Sequence, residues 1–294
     1  MFPFDVLSSE AGAANLLQQV RWRDGLQCPR CPSDTVIKYG SYQAYQRYRC
    51  KDCGRTFNDK TGTIFAHAKI GLDNLLFAVY SLLRFNTSIR QIEAELDVSY
   101  KTLTQRVEQF ARTLDAPSID IVGPVEIDEV YVTAGLKGRE RDQQSRSRGL
   151  SERGRGTYAG DKPPVFTIVD RSTDHRYVVP AKSANESTVR LLLKNSEEEP
   201  LTVYTDGFRA YDPLEEDENY ERNAVIHREG EYVDGDAHVN TCESHASLVR
   251  RWLSPHRGIS KDKLTPYLRA FELRRRILRK SGREALKEIV RTVL

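Results

Sequence analysis

This 294-residue sequence contains no long apolar segment. Its longest nearly apolar run, Leu75 to Leu83, has nine residues, whereas a membrane-spanning helix needs about 20. The first nine residues also lack a basic segment followed by an apolar stretch, the pattern that marks a secretory signal. We therefore expect a protein that does not cross a membrane and that stays in the cytoplasm.

Cysteine is scarce, but four of the five cysteines form a pattern. Cys28 and Cys31 make one CxxC motif and Cys50 and Cys53 make another, with 18 residues between them. This spacing is typical of a four-thiolate zinc site. Two disulfides or redox pairs are the alternatives, but disulfides need an oxidising compartment and a redox pair does not need a second motif. The fifth cysteine, Cys242, is isolated, which favours packing over reactivity.

The net charge of +3 is also small, but the charges are unevenly distributed along the chain. Residues 196–236 contain 14 acidic and 3 basic side chains, whereas residues 249–294 contain 14 basic and 4 acidic ones. This division favours a basic surface for a polyanion. Two solvated faces are the alternative, and the same two interpretations apply to the basic cluster of Arg274, Arg275, Arg276, Arg279 and Lys280.

Two helices with a tight break are predicted before the middle of the chain. Apolar residues at helical spacing predict a buried helix over residues 72–84. Residues 88–112 then divide at residues 97–99, where Ser99 is a candidate N-cap. This is helix-turn-helix spacing, in which the second helix enters a major groove. Tyr100, Lys101, Thr104 and Gln105 then face outward, with Lys101 and Gln105 as the candidates for contact with DNA, and an ordinary helical hairpin is the alternative.

The second half of the chain has the composition of an α/β domain. Segments rich in β-branched and aromatic residues predict five strands, at residues 125–132, 165–170, 177–180, 201–205 and 224–227. A helix is predicted at residues 185–194, and further helices after residue 240. Residues 134–164 are rich in glycine and basic residues. They predict either a mobile basic loop or a disordered insert.

Acidic residues interrupt or end two of these strands. Asp128 lies within the first strand and Asp206 ends the fourth. If the two strands are neighbours, their carboxylates meet and repel each other unless a cation such as Mg²⁺ lies between them. Glu243, on a predicted helix, supplies a third carboxylate, and Arg250 lies two turns later on the same face, where it can hold a phosphate. Three such acids suit two-metal phosphoryl transfer.

Spacing alone leaves the choice of acids open. Glu126 and Glu129 are alternatives to Asp128, and Asp212 is an alternative to Asp206. An acid at a strand end is often a turn residue or a helix cap rather than part of a site. The residues by themselves therefore predict a metal site without fixing its members.

Several segments resemble insertion-sequence transposases of bacteria and archaea that begin with a zinc ribbon. The resemblance is carried, in the family's order and over nearly the whole chain, by residues 21–31 and 50–65, Glu126-Ile-Asp-Glu-Val-Tyr131, Gly154-Arg-Gly-Thr157, Thr205-Asp-Gly-Phe-Arg-Ala-Tyr211 and His238-Val-Asn-Thr-Cys-Glu-Ser244. Two features depart from the family's pattern. Pro32 stands where the first CxxC turn often has a glycine, and His245-Ala246 replace a bulky aromatic pair.

The resemblance implies an α/β fold: a ribonuclease-H-like mixed-sheet catalytic domain preceded by a small zinc ribbon and a helical helix-turn-helix domain. The boundaries we expect are a helical lead-in at residues 1–26, the ribbon at 27–60, the DNA-binding helix-turn-helix region at 61–117 and the catalytic domain at 118–294. The last of these includes the basic loop at 134–164 and a basic helical C-terminus.

The resemblance places the family's three catalytic acids on Asp128, Asp206 and Glu243, with Asn240 in reserve as a third metal-site residue, and its following basic residue on Arg250. It implies DNA cleavage at element ends and joining of the freed 3′-hydroxyls to target DNA. The implied cofactors are structural Zn²⁺ and two catalytic Mg²⁺ or Mn²⁺ ions. The implied partners are double-stranded DNA, as terminal repeats and target, and further copies of the chain, in a dimer or larger assembly at the nucleoid.

Two other functions stay open at this point. A non-catalytic regulator that binds DNA through the ribbon and the helix-turn-helix accounts for the first 117 residues, but it does not explain the three acids. A transposase that has lost its activity is a second form of this non-catalytic alternative. An RNA-processing nuclease on the same fold shares the metal site and need not bind specific DNA ends.

Overall fold

The computed structural model describes residues 1–114, 118–135, 158, 162–225, 238–256 and 259–294. The chain divides into two compact units, one of Met1–Asp115 with Leu273–Leu294 and one of Ala116–Glu272. Most of the predicted basic loop at 134–164, including residues 154–157, lies outside the described residues. None of the helices in the described ranges combines the length and the apolar character needed to cross a bilayer.

The first unit begins with two helices and a small antiparallel sheet. These are α1 (Phe4–Leu7), α2 (Glu10–Arg21), β1 (Val36–Tyr42), β2 (Tyr45–Cys50) and β3 (Thr56–Asn58), with the strands in sequence order. The core of this sheet is very small and consists of Cys28, Tyr48, Cys50 and Phe57. So few apolar side chains supply little folding free energy, which is why a metal is expected to complete the ribbon.

A buried carboxylate joins the ribbon to α2. Asp59 is 1% exposed and accepts hydrogen bonds from Trp22 Nε1 at 2.7 Å and from the Tyr48 hydroxyl at 3.1 Å. Arg21 donates to the backbone oxygens of Asp59 and Thr61, both at 2.6 Å. Burial raises the pKa of Asp59. The ribbon and α2 thus form one hydrogen-bonded body.

Three further helices follow the ribbon: α3 (Leu72–Phe85), α4 (Ile89–Glu95) and α5 (Tyr100–Thr113). The predicted helix starts are confirmed. Ser88 and Gln91 form a capping box at α4, and Ser99 accepts from the N–H of Thr102 at α5. Buried side chains on α4 and α5 include Ile89, Ile92, Leu103, Val107 and Phe110. The pair α4–α5 therefore consists of two capped helices that pack together, with the break between them at the predicted position.

The C-terminal boundary differs from the predicted one. Residues from Leu273 onward belong to the first unit, because α9 (Gly282–Arg291) packs its buried face against α2 and α3. Arg274 donates to the backbone oxygens of Leu83 and Arg84 at the end of α3, as basic side chains do near helix C-termini. Part of the predicted basic cluster is therefore occupied with helix capping.

The second unit is built on a five-stranded mixed sheet in the order β6-β5-β4-β7-β8. Its elements are β4 (Val125–Tyr131), β5 (Pro164–Asp170), β6 (Arg176–Pro180), α6 (Glu186–Leu193), β7 (Leu201–Asp206), β8 (Tyr220–Val225), α7 (Asn240–Leu253) and the start of α8 (Lys261–Leu278). β5 is antiparallel to both of its neighbours, β4 and β6, and β7 and β8 run parallel to β4. This is the ribonuclease-H-like topology.

The last strand is shifted from its predicted position. The sequence predicts it at residues 224–227, whereas β8 spans Tyr220–Val225 and residues 226 and 227 lie outside the described part of the chain. The strand lies at the edge of the sheet and contains Glu221, Arg222 and Asn223. Edge strands tolerate polar residues, so a search for β-branched residues misses its first half.

Candidate active site and zinc centre

Asp128 and Asp206 come together because β4 and β7 are adjacent parallel strands. In the register of this pair Glu126 lies opposite Tyr204. Asp128 lies two residues after Glu126 and Asp206 lies two residues after Tyr204. Because side chains alternate along a strand, each aspartate shares a face of the sheet with the residue two positions before it. Carboxylate oxygens of Asp128, Glu129 and Asp206 all lie within 4.8 Å of one another.

The charges around Asp128 make its ionisation costly. Burial and the neighbouring carboxylates of Asp206 and Glu243 raise its pKa from 3.8 to about 7, against the opposing effects of the Glu129 backbone N–H and the Arg250 side chain. A carboxylate held neutral by like charges becomes ionised when a cation balances those charges. The electrostatics of the cluster therefore fit a site for a hard divalent cation.

Glu243 reaches this cluster from a different element. It lies in the first turn of α7, which packs against β4 and β5. Its charge acts on Asp128, but among the described residues the group that shares the 4.8 Å limit is Asp128, Glu129 and Asp206, without Glu243. Asn240, the reserve residue, is the exposed first residue of the same helix.

Glu129 is held in the cluster by a buried tyrosine. The Tyr211 hydroxyl donates to Glu129 Oε2 at 2.9 Å, and Tyr211 is fully buried. Burial, followed by the charge of Glu129, raises the pKa of Tyr211 well above its ordinary value. Tyr211 therefore remains a protonated hydrogen-bond donor beside the acids.

The two remaining alternatives have other partners. The carboxylate of Glu126 is 1% exposed and forms an ion pair with Arg171, with Nε and Oε1 at 3.1 Å. Asp212 forms an ion pair with Arg222 at 2.9 Å. Neither belongs to the group of acids within 4.8 Å of one another in the described part of the chain. Cys242 is completely buried, as predicted, and its thiol donates to the Glu126 carbonyl at 3.3 Å.

The four ribbon cysteines converge on one point. All four sulfurs lie within 4.8 Å of one another, with Cys28 and Cys53 at 3.6 Å and Cys31 and Cys50 at 3.6 Å. Tetrahedral Zn²⁺ with bonds of about 2.3 Å places its sulfurs about 3.8 Å apart. All five cysteines of the chain are free. The donor set thus fits one zinc ion and does not form the alternative pair of disulfides.

Backbone donors favour the thiolate form at Cys28 but not at Cys31. Burial acts to raise the pKa of Cys28, but hydrogen bonds from the backbone of Arg30 and Cys31 and from neighbouring thiols outweigh it and lower the pKa to about 7. At Cys31 the backbone hydrogen bond of Ser33 acts to lower the pKa, but burial and the neighbouring thiols outweigh it and raise that pKa to about 12. Pro32, the departure from the family's glycine, has a positive φ of 23°. Glycine reaches such values without strain, whereas a proline ring resists them.

Comparison with known sequences identifies both halves of the chain. Residues 120–275 match the ISXO2-like transposase domain, and residues 8–56 match the transposase zinc-ribbon domain. The chain is 65% identical over all 294 residues, and over the full length of both chains, to a protein in transposable element ISH50 of Halobacterium salinarum. The chain belongs to the ISXO2-like transposase family.

Solved structures give more distant matches to this transposase-family chain. A chain in the simian T-cell lymphotropic virus intasome in complex with PP2A regulatory subunit B56 gamma is 8% identical, with a TM-score of 0.32, over 67% of this chain and 68% of that one. A chain in a pre-cleavage Mos1 transpososome is 12% identical, with a TM-score of 0.23, over 72% of this chain and 76% of that one.

The residues predicted to contact DNA are all exposed on helices of this family member. Lys101 and Gln105 lie one turn apart on α5 in the first unit, and Arg250 lies on α7 in the second. His245, one of the departures from the family's pattern, is fully buried with its ring centroid 5.5 Å from that of Phe271. An aromatic contact is therefore retained at this position of α7.

Sequence reasoning missed how Glu129 and Glu126 differ. The two glutamates have opposite neighbours, since Glu129 lies with the acids and Glu126 lies beneath α7. The alternation of a strand places Glu126 on the same face as Asp128 and Glu129 on the other face, so alternation alone does not predict that Glu129, rather than Glu126, lies with Asp128.

Proposed function

We propose that this chain is a DDE-type transposase that cuts DNA at the ends of its element and joins the freed 3′-hydroxyls to target DNA. The observation that carries the proposal is the meeting of carboxylates from adjacent parallel strands, with oxygens of Asp128, Glu129 and Asp206 within 4.8 Å of one another. Burial and the charges of Asp206 and Glu243 raise the pKa of Asp128 to about 7, in keeping with this arrangement. Three carboxylates on separate elements that repel one another are stabilised by the divalent cations that phosphoryl transfer needs. The family membership supports the same reaction class.

In this proposal Asp128, Asp206 and Glu243 hold two Mg²⁺ or Mn²⁺ ions. When bound, such ions activate the attacking oxygen and neutralise the charge that develops on the leaving oxygen. Asp128 must lose its proton to bind a cation, and the positive charge of Arg250 favours that ionised form. Arg250 is exposed on the same helix as Glu243, which leaves its guanidinium available to bind a phosphate of the DNA.

The nucleophiles are water in the cleavage step and the DNA 3′-hydroxyl in the joining step. Tyr211 donates a hydrogen bond to Glu129 of the acid cluster, and its burial and high pKa keep it protonated. It therefore positions Glu129 and does not attack phosphorus. The reaction proceeds without a covalent bond between protein and DNA.

The first unit supplies DNA recognition in this proposal. The ribbon, with zinc held by Cys28, Cys31, Cys50 and Cys53, and the α4–α5 pair bind the element ends. Lys101 and Gln105 extend from the exposed side of α5 toward the major groove. Two ends must be held together for transposition, so the working form is a dimer or a larger assembly on double-stranded DNA, at the nucleoid of the cell.

A cleavage assay tests this function. Purified zinc-loaded protein is incubated with a labelled duplex that carries the DNA flanking its own gene, with Mg²⁺ or with Mg²⁺ omitted, beside Asp206→Ala. We expect nicking at a fixed position that needs the metal and that the variant lacks. Tight binding without cleavage in either Mg²⁺ or Mn²⁺ contradicts the proposal and favours a DNA-binding regulator. Preferred cleavage of RNA or of an RNA–DNA hybrid favours a nuclease.

A further inference from the structure

A buried carboxylate lies directly beneath the first turn of α7. Glu126 Oε2 accepts hydrogen bonds from the backbone N–H groups of Thr241 at 3.0 Å and Cys242 at 3.1 Å. The residue at the N-cap position is Val239, and no side chain caps the helix from there. Glu126 therefore satisfies N–H groups that an ordinary N-cap would satisfy, and its negative charge suits the positive end of the helix dipole.

Arg171 connects Glu126 to the other elements that carry the acids. Its Nε donates to Glu126 Oε1 at 3.1 Å, and its Nη2 donates to the backbone oxygen of His238, just before α7, at 2.8 Å. Its guanidinium also stacks 3.7 Å above the ring of Tyr204 on β7. One arginine thus touches β4, β7 and the segment that leads into α7.

On each of β4, β7 and α7, the contacts of Glu126 and Arg171 are made within a few residues of the acid that the element carries. Glu126 and Tyr204 are opposite each other in the sheet, and each precedes an aspartate of the site by two residues. Glu243 follows the two bonded N–H groups within the first turn of α7. A displacement of this turn relative to β4 therefore changes the distance between Glu243 and Asp128 directly.

Stability alone is a poor reason for such a pair. A carboxylate that is 1% exposed is costly to remove from water, and a buried ion pair is often no more stabilising than apolar residues of similar size. The bonds of this pair instead lead to the three elements that carry Asp128, Asp206 and Glu243. Groups that do not bind the metal but orient the residues that do typically affect metal affinity by about 10- to 100-fold.

We propose that the Glu126–Arg171 pair is a positioning device that holds Glu243 in register with Asp128 and Asp206. This inference rests on the proposed metal site. Neither residue touches the metal or the DNA, and both act by fixing the start of α7.

Binding of Mn²⁺ to the full-length, zinc-loaded protein, followed by electron paramagnetic resonance of the free ion, tests the inference without DNA or turnover. Glu126→Gln keeps the size of the side chain and an acceptor for the helix but weakens the link to Arg171. We expect about tenfold weaker Mn²⁺ binding. Glu186→Gln is the matched control, because it breaks an ion pair with Arg190 at 2.8 Å on α6, which carries none of the three acids.

A double-mutant cycle distinguishes positioning from general support of the fold. In a Glu243→Gln background, Glu126→Gln should change Mn²⁺ affinity by less than about twofold, because the residue through which it acts is already altered. Equal losses in both backgrounds overturn the inference, as does unchanged binding in Glu126→Gln alone. Arg171→Lys, which keeps the charge but cannot bridge Glu126 and His238 in the same way, provides a second variant if Glu126→Gln does not fold.

Asp128→Asn separates this inference from the proposed function. If Asp128→Asn abolishes Mn²⁺ binding and Glu126→Gln does not weaken it, the metal site stands and the positioning role is wrong. If Asp128→Asn leaves Mn²⁺ binding unchanged, the metal site itself is wrong and the inference falls with it.

Discussion

The zinc centre and the acid cluster are built in opposite ways. The four cysteines lie within residues 28–53, at the end of one strand and in the turns beside a single small sheet, and their sulfurs are already within 4.8 Å of one another. The acids lie on β4, β7 and α7, between residues 128 and 243. The first site is a product of local chain turns, whereas the second exists only once a five-stranded sheet has formed.

The two regions also differ in how far their folds depend on a metal. The ribbon has a core of four buried residues, so its fold relies on the ion. The second unit has a large core centred on residues such as Ile127, Phe166 and Val203, so its fold tolerates an empty and mutually repelling acid cluster. If the proposed function is right, one metal stabilises a fold and the other is held by a fold that is already stable.

Removal of zinc should have the largest effect. A strong zinc chelator, or Cys50→Ser, is expected to unfold the ribbon, since structural zinc contributes on the order of 10 kcal/mol to such modules. Hydrogen–deuterium exchange should show loss of protection in β1, β2 and β3 but not in β4 or β7. Cys242→Ser, the same substitution at the cysteine of the second unit, is the control and should leave the ribbon protected. Full protection of β1–β3 after chelation would show that the ribbon folds without zinc.

Metal affinity at the acid cluster should depend steeply on pH. Because the pKa of Asp128 is about 7 and a cation binds the carboxylate, Mn²⁺ affinity should fall about tenfold for each pH unit below 7 and level off above it. Titrations between pH 6 and 8.5 measure this dependence. Arg250→Gln removes a charge that lowers this pKa, so the midpoint should move to higher pH. A flat profile would contradict the electrostatic picture.

Asp128→Asn should stabilise the second unit when Mg²⁺ is absent. The pKa of Asp128 is raised from 3.8 to about 7, so the contribution of this group to the stability of the wild type is most favourable below pH 3.8 and declines as pH rises toward 7. The variant lacks this decline, and at pH 8 its melting temperature should be several degrees higher, an effect of at most about 4 kcal/mol. At pH 4 the two proteins should melt together. Saturating Mg²⁺ should reverse the order at pH 8, because only the wild type gains from binding.

The smallest effects are expected at the proposed DNA surface of the first unit. Lys101→Ala should weaken binding to all duplexes by about 1 kcal/mol. It should also reduce the slope of the logarithm of the binding constant against the logarithm of the salt concentration by about one. Gln105→Ala should reduce discrimination between the element end and other DNA by about 1–3 kcal/mol. Fluorescence anisotropy at several salt concentrations measures both. Unchanged binding in both variants would place DNA recognition elsewhere than α5.

The sequence predicted the local features of this protein well. The two CxxC motifs indicated the zinc centre because each motif and the hairpin between them lie close together in sequence. Ser88 and Ser99 cap their helices, and serine before an apolar repeat is a signal that needs no tertiary context. The five strands were also predicted, with an error at the edge strand β8.

The division of labour among the acids could not be predicted in the same way. Glu126, Asp128 and Glu129 lie within four residues of one strand. Their roles depend on how α7 packs against β4 and on which residues of β4 pair with β7. The C-terminal boundary had the same difficulty, because α9 packs against α2 and α3 from the other end of the sequence. Arg274 appeared as a basic surface residue, but it caps α3.

Joining of a pre-cut element end to a plasmid directly tests the proposal that this chain transfers DNA strands by using Asp128. A labelled duplex with a free 3′-hydroxyl at the element end is incubated with supercoiled target DNA, Mg²⁺ and either wild type, Asp128→Asn or the control Glu186→Gln. We expect covalent attachment of the label to the plasmid by wild type and control, and none by Asp128→Asn, although all three bind the end equally. Joining that persists in Asp128→Asn, or its absence in a wild type that binds tightly, would contradict the account.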